Sequence, residues 1–128
     1  MSAESAESGA GAAQAGADCL FCRIVAGEIP ATVVHETPNT VAFRDVDPQA
    51  PTHVLIVPRR HVPTVVDLVD ASPGELAELV RAVGDVARME GLDRGYRTVF
   101  NTGREAHQSV FHAHVHVLGG RSMTWPPG

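Results

Sequence analysis

Between Phe111 and Leu118 every second residue is a histidine, in the run Phe111-His112-Ala113-His114-Val115-His116-Val117-Leu118. Successive side chains of an extended chain point to opposite faces. The spacing therefore predicts a strand with His112, His114 and His116 on one face. Ala113, Val115 and Val117 take the other, which suits a sheet packed on a core. Same-face neighbours lie roughly 6.5–7 Å apart, so one imidazole can attack a reacting centre while its neighbours orient it and handle protons. Three uses compete for such a row. It can be a set of surface histidines, although unpaired imidazoles at period two are unusual. It can bind metal, since His-x-His on a strand places two ligands on zinc. It can supply a neutral imidazole nucleophile that forms a covalent intermediate. The residues leading into the run favour the third use. Asn101 ends the preceding predicted strand, Gln108 and Ser109 lie in the loop that enters the histidine strand, and Gly103 lies earlier in that loop. Loop N–H groups and hydroxyls at such a point can hold phosphate oxygens.

The rest of the chain predicts the frame around this strand. Residues 1 to 17 are small, polar and acidic, and read as a disordered tail that cannot bury enough apolar surface to offset chain entropy; one folded domain is expected from 18 to 128. Asp18 is a plausible N-cap for a short helix through Ala26, with Leu20, Phe21, Ile24 and Val25 as its apolar face and Gly27 as its stop. Val33 to Glu36 and Thr40 to Asp45 read as a hairpin around Pro38 and Asn39, and His53 to Pro58 as an apolar strand closed by Arg59, Arg60 and His61. Ser72, Pro73 and Glu75 open the clearest helix, whose buried stripe is Leu76, Leu79, Val80, Val83 and Ala87, with Gly91 at its end. Strands over Tyr96 to Asn101 and Phe111 to Leu118 finish the domain, the last stopped by Gly119 and Gly120. Helix, three strands, helix, two strands, with hairpins dominant, predicts an α+β fold with a largely antiparallel sheet.

Charge and composition narrow the function. A net charge of −5 argues against a protein that coats nucleic acid, so an anionic ligand must be drawn by a local pocket. No apolar run approaches the roughly 20 residues of a membrane helix, and residues 2 to 17 lack the basic start and apolar stretch of a signal peptide. A cytoplasmic location is expected. There the Cys19-x-x-Cys22 spacing suggests a metal or redox role more than a disulfide staple.

The string from Gln108 to Gly120 resembles the signature of the histidine triad (HIT) family, and the ending Met123-Thr124-Trp125-Pro126-Pro127-Gly128 is similar to that of its Hint branch, the nucleoside phosphoramidases. Gly27-Glu28-Ile29-Pro30-Ala31, Ala42-Phe43-Arg44-Asp45 and Pro48-Gln49-Ala50-Pro51-Thr52-His53 carry the resemblance through most of the chain. It implies a HIT-like fold: a mostly antiparallel five-stranded sheet with one long and one short helix, extended across a homodimer. It implies that His114 attacks the α-phosphorus of a purine nucleoside 5′-phosphoramidate, that an amine departs, and that water releases the nucleoside monophosphate, with no cofactor required for the chemistry.

The same resemblance assigns roles. His116 contacts phosphate or the departing group, a main-chain carbonyl fixes the tautomer of His114, and His112, His53 and Ser109 support phosphate binding and proton handling. Asn101, Ser109, Gln108 and Val110 belong to the nucleotide contacts. Asp45 grips the ribose hydroxyls; Phe21, Ile24, Phe43 and Val46 wall the base pocket; Trp125 reaches towards the partner's site. A structural zinc on Cys19, Cys22, His53 and His112 is implied by relatives with such a cysteine pair, the plain alternative being two buried free thiols. Two departures stand out. Arg104-Glu105-Ala106-His107 replaces a more glycine-rich stretch, beside the leaving group, and Arg44 replaces a histidine next to the ribose acid. Competing functions are cleavage of dinucleoside polyphosphates and a nucleotide-sensing interaction protein with incidental hydrolysis. Nucleotidyl transfer to a sugar phosphate is disfavoured, because that branch tends to carry glutamine where His116 stands.

Overall fold

A computed structural model describes residues 18–128; the expected tail, residues 1 to 17, lies outside the described residues. Elements follow in the order α1 (Leu20–Val25), β1 (Val33–Thr37), β2 (Thr40–Arg44), β3 (Thr52–Pro58), α2 (Val65–Ala71), α3 (Pro73–Met89), β4 (Tyr96–Val99), a single 3₁₀ turn (Arg104–Ala106) and β5 (Val115–Gly119). The strands form one antiparallel sheet in the order β1-β2-β3-β5-β4. That is the expected α+β architecture with its five-stranded sheet.

The central strand explains the layering. Every residue of β3 is buried, because both faces of the sheet are covered there. Val54 and Ile56 pack with Val115 and Val117 against Leu68, Leu79, Val83 and Val86 of the two longer helices. Leu55 and Val57 face the other way, into a second cluster with Cys19, Phe21, Val41, Phe43 and Val110. His53 and His116 share this second face by the period-two rule. The face roofed by α1 therefore carries the polar chemistry, and the face under α3 is core.

Several boundaries differ from the sequence-based expectation. Cys19, not Asp18, caps α1: its Sγ accepts the Cys22 N–H at 3.3 Å. Helix α2 was not expected, because Val65-Val66-Asp67-Leu68-Val69 is rich in β-branched residues. Its signal is the capping box, Thr64 with Asp67 at N3. Val80 is half-exposed rather than part of the buried stripe, which runs through Leu79, Ala82, Val83, Val86 and Ala87. At about 100° per residue, Val80 is carried round to the helix flank. The last strand begins at Val115, four residues later than its alternation suggests, and Gly119 lies inside it, paired with Thr52 and Tyr96. Only Gly120, at φ +92°, turns the chain.

Candidate active site

Adjacent strands β3 and β5 bring His53 and His116 together. Leu55 pairs with His116 and His53 with Leu118, which makes the two histidines diagonal neighbours on one face. His53 Nε2 lies 2.9 Å from His116 Nδ1. The hydrogen bonds around them settle which atom carries the proton. The Gln49 backbone N–H donates to His53 Nδ1 at 3.0 Å, so the neutral ring of His53 is protonated on Nε2 and donates to His116 Nδ1. The proton of His116 therefore sits on Nε2. The Asp45 carboxylate lies 3.5 Å from His53 Nε2 and accepts the Asp47 N–H at 2.8 Å. Burial, followed by the neighbouring His114, His53 and His107, holds His116 down to about 3. Burial also lowers His53, against the opposing pull of Asp45.

His114 has the opposite tautomer. Its Nδ1 lies 2.8 Å from the carbonyl oxygen of His112. A carbonyl only accepts, so Nδ1 carries the proton and Nε2 keeps the lone pair. The Phe21 ring meets the imidazole edge-on with centroids 5.0 Å apart, and the His116 ring stands 5.1 Å away. Burial pushes His114 below the ordinary imidazole range. The ring is thus neutral at pH 7, with a nitrogen available as a nucleophile. It opens onto a cleft of about 210 Å³ lined by Gln49, His53, Val99, Asn101, His107, Ser109, His114, His116 and Leu118.

His112 stays on the α1 side of the sheet with the other two but does not line the cleft. Its Nε2 donates to the Pro58 carbonyl at 2.8 Å, and the Ala113 N–H donates to Val62 O at 2.8 Å. The segment before Val115 bends away from the ladder and carries the fully buried His112 ring under α1. There its Nδ1 lies 3.4 Å from Cys19 Sγ, 3.5 Å from Cys22 Sγ and 3.2 Å from His61 Nδ1; Cys22 Sγ is 3.3 Å from His61 Nδ1. Bonds of about 2.3 Å to sulfur and 2.0–2.1 Å to nitrogen give a zinc tetrahedron edges of roughly 3.3–3.8 Å, so these separations fit one. Because Nε2 of His112 is spent as a donor, its Nδ1 is a lone pair facing the group, as a metal ligand needs. Burial pushes the Cys19 thiol up to about 12, and a cation among these atoms would reverse that cost. Two sulfurs and two imidazoles make a closed set suited to a structural zinc.

This cluster corrects the expected ligand set: His61 stands where His53 was expected. Seven residues of β3 at about 3.3 Å each separate its ends by about 20 Å, and His53 lies near one end while His61 lies beyond the other. His53 belongs with Asp45 and His116.

The profile of the HIT domain family matches residues 26–123. The chain belongs to the HIT family. It is 45% identical over 111 residues to an uncharacterized HIT-like protein of Synechococcus elongatus, covering 87% of this chain and 97% of that protein. It is 47% identical over 112 residues to a 14 kDa zinc-binding protein of Zea mays, covering 85% and 87%. Among solved structures, a HIT family hydrolase from Legionella pneumophila superposes with a TM-score of 0.82 at 53% identity, covering 86% of this chain and 99% of that one.

Within this HIT fold the expected site residues are sorted sharply. His114, His116, His53, Ser109 and Asn101 converge on the cleft. Gln108 and Val110 do not. Gln108 receives the Gly103 N–H and donates to Pro63 O and Val110 O, which braces the loop, and the Val110 side chain is fully buried in the core. Phe21 and Phe43 are buried edge-to-face at 5.6 Å, Ile24 packs against their cluster, and Val46 and Trp125 are exposed; none of these lines the cleft. Arg44 points away, forking onto Glu90 through two bonds of 3.0 Å. Gln49, Val99 and Leu118 were missed as cleft residues. The signal for Gln49 is its place four residues before His53. His107 sits on the cleft wall with a left-handed backbone, φ +66°.

Proposed function

We propose that this protein hydrolyses the P–N bond of purine nucleoside 5′-phosphoramidates through a nucleotidyl-histidine intermediate. The observation that carries the reading is the pair of opposite tautomers, a lone pair on His114 Nε2 and a proton on His116 Nε2, in adjacent rings. Nε2 of His114 attacks phosphorus. The departing nitrogen carries a proton taken from solvent, and the lone pair that opens on it as the P–N bond breaks accepts a hydrogen bond from His116 Nε2–H, so the free amine leaves while His116 stays neutral. Water then attacks phosphorus and releases its proton to solvent. The P–Nε2 bond breaks, its electron pair returns to His114, and the monophosphate leaves. Ser109 and Asn101 hold phosphate oxygens, and Asp45, beside His53, takes the ribose hydroxyls. A relative described as a hydrolase supports the reaction class.

The cysteine cluster would hold a structural zinc through Cys19, Cys22, His61 and His112, in line with the zinc-binding relative. A bound zinc would supply cross-linking between α1 and the sheet and leave His114 free. The free thiols suit a reducing, cytoplasmic setting. Among the described residues no helix is long and apolar enough to cross a membrane. A homodimer is part of the same reading. Among the described residues strand β4 ends the sheet with an unpaired edge, and Tyr96, Phe100, Val80 and Met89 are exposed apolar side chains on or near it and on α3.

The test is turnover of adenosine 5′-phosphoramidate beside diadenosine tetraphosphate, with acid quenching and mass spectrometry of the His114 peptide. Release of adenosine monophosphate from the phosphoramidate, with a nucleotidyl adduct on His114, is expected. Absence of both turnover and adduct sinks the reading. Faster cleavage of the polyphosphate moves the substrate to that class.

A further inference from the structure

The cysteine–histidine cluster and the nucleophile share one residue. His112 sends its ring into the cluster and offers its own carbonyl to His114 Nδ1 at 2.8 Å. Its ring is pinned at both nitrogens, by Pro58 O on one side and the donor set on the other. The next peptide is pinned as well, through Ala113 N–H to Val62 O, one residue from His61. A second link runs through α1. Phe21 lies between the two cysteines in sequence and meets both His112, at 5.9 Å, and His114, at 5.0 Å. Helix α1 has six residues, too few to persist on its own backbone hydrogen bonds. What holds it over the sheet is its packing and its cysteines.

We infer that the Cys19–Cys22–His61–His112 centre positions the nucleophile: an ion held there fixes the His112 carbonyl and the Phe21 ring, and these two fix the orientation and tautomer of His114. His112 is thus a positioning residue, acting through His114. A zinc that only braces the fold would add stability. A zinc that positions His114 also changes the rate constant of the chemical step while leaving nucleotide affinity almost untouched, because the cleft wall of Ser109 and Asn101 lies outside both links.

The experiment uses the full chain loaded with zinc chloride, the Cys22→Ser variant, which lacks one donor, and Cys22→Asp, which returns an oxygen donor. Bound zinc is measured by metal analysis, the His114 Nδ1–H by nitrogen-15 NMR of labelled histidine, and kcat and KM on adenosine 5′-phosphoramidate. In Cys22→Ser, loss of zinc should come with loss of the protected Nδ1–H signal. A fall in kcat of roughly tenfold or more is expected, with KM within about twofold; Cys22→Asp should restore zinc, signal and rate together. If Cys22→Ser does not fold, stepwise chelation of the wild-type protein below its melting temperature reads the same signals. A folded, zinc-free protein with an unchanged His114 signal overturns the inference, as does a loss confined to KM or a wild-type chain that binds no zinc. The rate arm rests on the proposed hydrolysis. Should the loaded wild type show no turnover, that reading fails, and the His114 signal alone decides the coupling.

Discussion

His53 on β3 places its Nε2 2.9 Å from Nδ1 of His116 on β5. With the Gln49 N–H on its other nitrogen, the proton of His53 has one place to go, and that forces the proton of His116 onto the side facing the cleft. His53→Ala should free His116 to adopt either tautomer. We expect kcat to fall roughly 10- to 100-fold, with the larger losses for basic amines, which most need the His116 hydrogen bond as they leave. A series of phosphoramidates with amines of rising basicity checks this. An equal loss across the series would contradict it.

His114→Ala removes the Nε2 lone pair that the His112 carbonyl fixes on a ring lining the cleft. Turnover should drop about ten-thousandfold or more, and no adduct should form. Binding of adenosine monophosphate, measured by calorimetry, should survive, because the phosphate and ribose contacts lie on other residues. Turnover within tenfold of the wild type would point to direct attack by water.

Acid should destabilise the protein earlier than its carboxylates alone would. His116 is held down to about 3, first by burial and then by its histidine neighbours, and His53 is lowered by burial too. In the unfolded chain both titrate near 6.5. Below that pH the unfolded state binds protons that the native state refuses, so unfolding is favoured. Stability is full above about pH 6.5 and falls as pH drops towards about 3. Urea midpoints between pH 7.5 and 4 should fall steadily, and less steeply in His116→Asn. The same depression keeps His116 neutral and moves the acid limb of kcat below the usual imidazole range.

The glycines that follow the histidines are held for different reasons. A Cβ on Gly120 would stand 2.9 Å from the Pro51 Cβ, at φ +92°. A Cβ on Gly119 would stand 2.8 Å from both methyls of Leu92. A leucine tip can rotate away, and a proline ring cannot. Gly120→Ala should therefore cost about 1–3 kcal/mol and Gly119→Ala less, with Leu92→Ala absorbing much of the latter in a double-mutant cycle. Chemical denaturation of the four variants orders these costs, and the reverse order would show that Pro51 yields.

The strands were legible because their alternation and turn residues agree. Thr40 to Arg44 and Thr52 to Pro58 are apolar runs separated by Asp47, Pro48 and Pro51. The end of the histidine strand was not. Alternation says that a segment is extended, but it does not say where the ladder ends: β5 pairs with β3 only from Thr52 to Ile56, although β3 runs on to Pro58. Beyond that point His112 is free to turn, and a sequence has no mark for it. His61 was missed for a related reason, since a ligand set joins residues from three separate segments and only the cysteine spacing is local. The family resemblance supplied the order of the blocks, and the geometry supplied which histidine goes where.

The neighbouring rings of His114 and His116 give the cleft a polarity, a lone pair beside a proton. A compound that spans both must offer an electron-poor atom to one and an electron pair to the other. The same linker built in the opposite order meets two mismatches at once. Inhibitors for this pocket will therefore be directional, and reversing a linker, atom for atom, is a sharper probe of the site than changing its length.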